Sequence, residues 1–291
     1  MSRDAALQYA LKKYGPRLMN ILARAFTALC LVLVCAVPAR AESGRQIHIN
    51  SIGMEFVLIS AGSFFLEHEV MDGQGTPRRP KVTISKAFYL GQYPVTQEQW
   101  ETVIGSNPSQ FKGWNRPVEN VSWRDVQEFI RRLNELEGHE RYRLPTEMEW
   151  EYAARGGTAS KYFFMEDPRT WEEAELPLKT YAWFNKNSHS STRPVGKKKP
   201  NPYGLYDMYG NVWEWVQDRF AVKPPNLLEM RDYAGPAASP WNNRERVLRG
   251  GSFGLSGPYS RSGSRRSLTP DYRHNDIGFR LALTPEEIIE R

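Results

Sequence analysis

Apolar residues recur every three or four positions in three polar-flanked stretches of the chain. In SWRDVQEFIRRLNELEG, at 122–138, the stripe is Val126, Phe129, Ile130, Leu133 and Leu136, the spacing of one helix face. Ser122 and Asp125 open it as a capping-box-like pair, and Gly138 closes it. TQEQWETVIG, at 96–105, opens on Thr96 with Gln99 and turns Trp100, Val103 and Ile104 inward. TEMEWEYAARGG, at 146–157, pairs Thr146 with Glu149 and stops at Gly156 and Gly157. Short apolar or alternating runs predict strands instead. These are MEFVLI at 54–59, ended by Gly62, and KVTISKAFYL at 81–90, with a polar loop over 67–80 between them. Residues 247–249 and GFRLAL at 278–283 predict closing strands. Between about 157 and 246 glycine and proline interrupt every pattern, which predicts irregular backbone whose buried amides need other partners.

A different pattern fills the N-terminus. AFTALCLVLVCAV, at 25–37, follows Lys12, Lys13, Arg17 and Arg24 and precedes Ala39-Arg40-Ala41. That is the build of a secretory signal, too short for a comfortable membrane span. The expectation is cleavage after Ala41, with Met19 as an alternative start; an uncleaved anchor is the competing reading. The chain then divides into a signal at 1–41, a short segment at 42–51, one domain at 52–284 and a tail at 285–291. Cleavage removes six basic residues and Asp4, taking Lys+Arg from 39 to 33 and Asp+Glu from 33 to 32. The net charge falls from +6 to +1, so the basic balance is no argument for nucleic acid. Both cysteines, Cys30 and Cys35, lie in the signal. The exported domain therefore has no disulfide, catalytic thiolate or cysteine metal ligand.

Seven segments together carry a resemblance. They are GMEFVLISAGSF (53–64), FYLGQYPVTQEQW (88–100), PVENVSWRDVQEF (117–129), YRLPTEMEWEYAARGG (142–157), NPYGLYDMYGNVWEW (201–215), RVLRGGSF (246–253) and NDIGFRLAL (275–283). In this order they resemble the sulfatase-modifying-factor family, whose founder is the formylglycine-generating enzyme. The resemblance implies a single α/β (α+β) domain of the C-type-lectin-like kind, with little regular secondary structure and bound calcium.

It also locates the family's chemistry. In its copper-dependent oxidases one cysteine stands three residues after the GGS serine, and the second five further on. Here that serine is Ser252, and the two positions hold Leu255 and Ser260. Neither supplies the thiolate that copper needs, so neither copper binding nor formylglycine synthesis is expected, and no catalytic residue is assigned. An iron-dependent branch draws its ligands from an extra helical domain, and the five histidines here are scattered, without its pairs. The calcium site of the family falls on Asp207, Gly210, Val212 and Glu214. Two carboxylates and two carbonyls on a tight turn make a hard-oxygen set suited to that ion in a structural role; salt bridges and turn caps are the alternative use of the two acids. Trp213 borders the substrate cleft in family enzymes, so Trp213, Ser252, Leu255 and Ser260 form the candidate cleft, with core packing as the other reading of the tryptophan.

Two functions follow from the resemblance. One is an exported regulator that contacts an exported or membrane-anchored protein, such as the periplasmic part of a kinase or a lipoprotein. A family member in type VI secretion loci acts this way, upstream of a membrane threonine kinase. The other is a cysteine-independent tailoring oxidase of the pyoverdine-chromophore-maturation type, for which Asp271, Tyr272, His274 and Asp276 and the nearby Arg261, Arg265 and Arg266 are the available polar groups. The loop aromatics Trp171, Trp183, Tyr233 and Trp241 are expected to be exposed contact residues.

Overall fold

Each of the three expected helices begins on a side-chain cap. In this computed structural model, which describes residues 45–221, 228–236 and 245–286, they are α1 (Gln97–Ile104), α2 (Trp123–Glu137) and α3 (Glu147–Arg155). Thr96, Ser122 and Thr146 each accept the amide three residues on. Gln99, Asp125 and Glu149 return a bond to the cap's own amide. Gly105, Gly138 and Gly156 end the helices in the left-handed region, where a side chain would be strained. The stripe of α2 buries Val126, Phe129, Ile130 and Leu133, but Leu136 is 57% exposed. It lies about 70° from the centre of the stripe, at the last turn. The signal expected at 1–41 lies outside the described residues.

The strands are β1 (Ile47–Ile49), β2 (Glu55–Ile59), β3 (Gly62–Phe65), β4 (Val70–Met71), β5 (Pro77–Arg78), β6 (Lys81–Ile84), β7 (Phe88–Gly91), β8 (Tyr142–Arg143), β9 (Trp213–Arg219), β10 (Glu229–Arg231), β11 (Arg246–Arg249), β12 (Arg265–Leu268), β13 (Ile277–Phe279) and β14 (Ala282–Leu283). They form a five-stranded sheet β1-β2-β7-β14-β8, a four-stranded sheet β12-β11-β9-β13, a three-stranded sheet β10-β6-β3 and the hairpin β4-β5. Several expectations are corrected. Gly62 starts a strand rather than ending one. The run at 81–90 is two strands in different sheets, and so is the run at 278–283, split by the buried Arg280. The region expected to be irregular holds β9, β10 and a fourth helix, α4 (Trp171–Tyr181), which contains Pro177 and has no side-chain cap.

The core lies in two clusters. One packs Trp213, Trp215 and Leu248 of the four-stranded sheet with Phe129 and Val126 of α2 and Trp100 of α1. Trp100 stacks on Phe129, and both meet Phe279 edge-on. The other packs α3 and α4 with residues of β2, β3, β6 and β7 around Trp150 and Tyr209. The loop aromatics are tied to this frame rather than displayed. Trp171 and Tyr233 pack on the second cluster, and Trp183 lies under Lys198, whose Nζ is 3.8 Å from the ring centroid. Trp241 lies outside the described residues. No described helix is long and apolar enough to cross a membrane.

Candidate functional site

The cleft is built where β9 begins and β11 ends. After Arg249 the chain turns through Gly250 and Gly251, with φ of 94° and 79°. A Cβ on Gly251 would come within 2.6 Å of the Tyr259 carbonyl and 2.8 Å of the Ser260 hydroxyl, so the loop closes tightly on itself. Leu255 and Trp213 then line a hollow of about 470 Å³ with Tyr259, Arg261, Arg265 and Arg266. Tyr259 is exposed, and Arg266 has no partner among the described residues. Arg261 and Arg265 are held by Glu67 at 3.2 Å and by Glu147 at 2.8 and 3.0 Å.

The four candidate cleft residues separate into two kinds. Leu255 and Trp213 line the hollow. Ser252 and Ser260 are fully buried and do not. Ser252 Oγ donates to Asp276 Oδ2 at 2.9 Å, and the other Asp276 oxygen meets His274 Nδ1 at 2.6 Å. Serine thus touches the carboxylate and not the imidazole, so the serine–histidine contact that activates a hydroxyl nucleophile is not made. Ser260 Oγ and Trp213 Nε1 are buried without a hydrogen-bond partner among the described atoms. Of the other polar candidates, Asp271 pairs with Arg124 at the surface and Tyr272 is exposed.

The expected calcium ligands lie on the turn leading into β9. Positive φ at Asp207, Gly210 and Asn211 curls the chain there. A Cβ on Gly210 would sit 2.0 Å from the Trp183 carbonyl, so only glycine fits. The two carboxylates are in different states. Glu214 Oε2 accepts Arg280 Nε and Trp150 Nε1, both at 2.7 Å, and Oε1 accepts Arg280 Nη2 at 2.7 Å. Asp207 is equally buried but, among the described residues, accepts only the Gly196 amide at 2.8 Å and the Asn211 side chain at 3.4 Å. Burial pushes its carboxyl up to about 6, against the pull of the Gly196 amide and of Arg280. The Asp207 half of the set fits a hard cation, because its charge has no dedicated counter-charge in bonding contact. The Glu214 half is already satisfied by three N–H donors.

With that geometry in view, the sulfatase-modifying factor enzyme 1-like domain matches residues 48–285. The chain belongs to this family. It is 34% identical over 230 residues to a chaperone protein, LppX, of Paenibacillus barcinonensis, covering 64% of this chain and 78% of that one. Variable protein 1 of Treponema denticola shares the fold with a TM-score of 0.68 and 33% identity, over 83% of this chain and 99% of its own. PvdO of Pseudomonas aeruginosa does so with a TM-score of 0.67 and 27% identity, over 82% and 98%. The chain spans 52% of the formylglycine-generating enzyme of Streptomyces coelicolor and 61% of the mouse one. The sulfatase-modifying-factor fold is thus the mixed α+β arrangement described above.

This family member also carries a buried charge network that no sequence motif marks. Glu151 binds Arg155 at 2.7 Å and also Arg249, while Glu147 binds Arg265. Asp218 Oδ2 accepts the Glu147 amide at 2.7 Å. Burial, then Glu147, pushes Asp218 up to about 8. The available signal was the spacing Glu147, Glu151, Arg155, which puts three charges on one face of a helix otherwise rich in buried residues.

Proposed function

We propose that the protein is an exported, non-oxidase member of the family that works by binding another protein through the Trp213–Leu255 cleft. One observation carries this reading. Where the family's copper oxidases place two cysteines, this chain presents an apolar Leu255 to the hollow and buries a hydroxyl at Ser260. An apolar wall beside an exposed Tyr259 and an Arg266 side chain without a partner among the described residues suits contact with a partner segment better than redox chemistry. The similarity to a chaperone protein and the signal-like N-terminus support the same reading. The partner class is an exported or membrane-anchored protein, and the periplasmic part of a threonine kinase that controls type VI secretion is the specific form of it. Calcium at Asp207, with the Gly210 and Val212 carbonyls, would pin the turn beneath β9; its contribution is structural.

The test is binding of the purified protein to the purified periplasmic region of such a kinase. Tyr259→Ala and Leu255→Asp should each weaken it about ten-fold, as loss of a buried contact of roughly 1.4 kcal/mol does, without lowering the melting temperature. Equal binding by both variants would sink the cleft assignment.

The second reading, a tailoring oxidase of the pyoverdine-chromophore-maturation type, has one observation of its own: the Ser252–Asp276–His274 chain of hydrogen bonds. Oxidation of a small metabolite by the purified protein, lost in His274→Ala, would put this reading in place of the first.

A further inference from the structure

β1 is an outer strand of the five-stranded sheet, paired with β2 alone. The Leu58 amide donates to the Gln46 carbonyl at 2.9 Å, and the Asn50 amide to the Met54 carbonyl at 3.2 Å. Bonded and non-bonded pairs alternate along an antiparallel ladder. Gln46, His48 and Asn50 are therefore the positions that bond β2, and Ile47 and Ile49 turn their N–H and C=O groups outward. Among the described residues nothing takes up those four groups. The same two residues expose their side chains, Ile47 at 45% and Ile49 at 62%. Folded proteins blunt such an edge with lysine, proline or a bulge. β1 reads Ile-His-Ile in unbroken register with β2 and has none of these.

A second β1 completes this edge. Run antiparallel about a two-fold axis at His48, it sets Ile47 of each copy opposite Ile49 of the other. Both are outward-bonding positions, so every free group on the two strands finds a partner. The isoleucines of both copies then lie side by side on one face, the kind of cross-strand pairing that stabilises a sheet. Gln46 meets Asn50, so no carboxylate, lysine or arginine meets its like. Moving the axis one residue either way sets an isoleucine against Arg45 or Ser51. The one like pair is His48 with His48. Burial, then Arg141 and more weakly His139, lower the His48 pKa against Glu137 and Glu286, which favours the uncharged ring there. We propose that the protein forms a symmetric dimer by pairing β1 edge to edge, which joins the two five-stranded sheets into one. The contact is one short strand long, so the dimer exchanges with monomer rather than being permanent. It uses no residue that lines the Trp213–Leu255 cleft, so it stands whether or not the cleft binds a protein.

The experiment is sedimentation equilibrium of the purified protein, raised to about 0.1 mM. A monomer–dimer equilibrium is expected. Ile49→Lys should weaken it at least about ten-fold by placing a charge in the seam. It should leave the melting temperature unchanged, because Ile49 is already exposed in the monomer. Cross-linking reads the register, in a chain carrying Cys30→Ser and Cys35→Ser. Opposed residues of a non-hydrogen-bonded pair have Cα atoms about 4.5 Å apart, within reach of a disulfide. His48→Cys should therefore give a disulfide-linked dimer in air. Gln46→Cys should not, because its two copies stand about 13 Å apart along the strands. A protein that stays monomeric at about 0.1 mM overturns the proposal and leaves the edge to an extended segment of another protein. So does a dimer indifferent to Ile49→Lys, or cross-linking of Gln46→Cys as fast as of His48→Cys.

Discussion

Arg280 grips both carboxylate oxygens of Glu214, and its remaining N–H groups reach the carbonyls of Gly91 and Tyr206. One buried guanidinium thus ties β9, β7 and the turn before the Asp207 segment to the link between β13 and β14. Breaking one partner of such a pair leaves a buried charge alone, at a cost of about 3–5 kcal/mol. Arg280→Gln should lower the unfolding free energy read from urea denaturation by that amount, and Glu214→Gln should lower it comparably. A loss under about 1 kcal/mol in either would show that the pair is dispensable.

Calcium dependence should track Asp207 and not Glu214. A ligand held only by the folded state at 100 times its dissociation constant adds about 2.7 kcal/mol. Chelation should lower the melting temperature of the unaltered protein. Asp207→Asn should remove most of that difference, because Asp207 is the carboxylate without a counter-charge in contact. A melting curve indifferent to chelator, with no calcium found by elemental analysis, would remove the ion from the account.

Asp218 should make the protein less stable as pH rises. Its folded pKa, about 8, lies above the ordinary 3.8, so the folded state holds the proton more tightly than the unfolded one. Stability is then lost as pH climbs from about 4 through about 8, and below that window the group makes no difference. Glu119, raised to about 7 chiefly by burial, acts in the same direction over a narrower range. Asp218→Asn keeps an acceptor for the Glu147 amide and removes one of these slopes. At pH 8.5 it should melt at least about 2 °C above the unaltered protein, the shift that roughly 1 kcal/mol produces in a domain of this size. Near pH 4 the gap should close. A gap that is constant across pH would refute the titration.

Ser260→Ala should be neutral or stabilising by up to about 1 kcal/mol, since it deletes a buried hydroxyl that makes no hydrogen bond. The same variant should leave function intact. The unaltered protein should show no tight Cu(I) binding by competition with a chelating dye, because neither Leu255 nor Ser260 offers a thiolate. Conversion of a cysteine peptide to formylglycine would falsify this.

The helices were legible because their signals are local. Thr96, Ser122 and Thr146 announce themselves with a partner three residues on, and glycine marks each end. α4 was hidden because Pro177 sits inside it and Thr170 makes no capping bond. The division of residues 81–90 between two sheets was equally hidden, since strand partners at 229–231 and 282–283 leave no trace near 81. The site was legible as positions and not as states. The sequence placed Asp207 and Glu214 on one segment, but Arg280, which distinguishes them, lies 66 residues from Glu214. Sequence also put Ser252, Leu255 and Ser260 together; burial divides them into one wall residue and two interior hydroxyls. The Arg219–Arg246 pairing exists only through strand register, with a bulge between Arg246 and Leu248 that no local signal marks.

The five-stranded sheet has a consequence in time. β14, at Ala282–Leu283, is inserted between β7 and β8, and Arg280 arrives with the same stretch of chain. β1, β2 and β7 pair with one another directly, but β8 joins that sheet only through β14, far along the chain. The sheet therefore stays open beside β7 until Ala282–Leu283 arrives, a long-range pairing of the kind that forms late. Residues 280–283 are thus the clasp that joins β8 to the rest of the sheet and fixes Glu214 beside it.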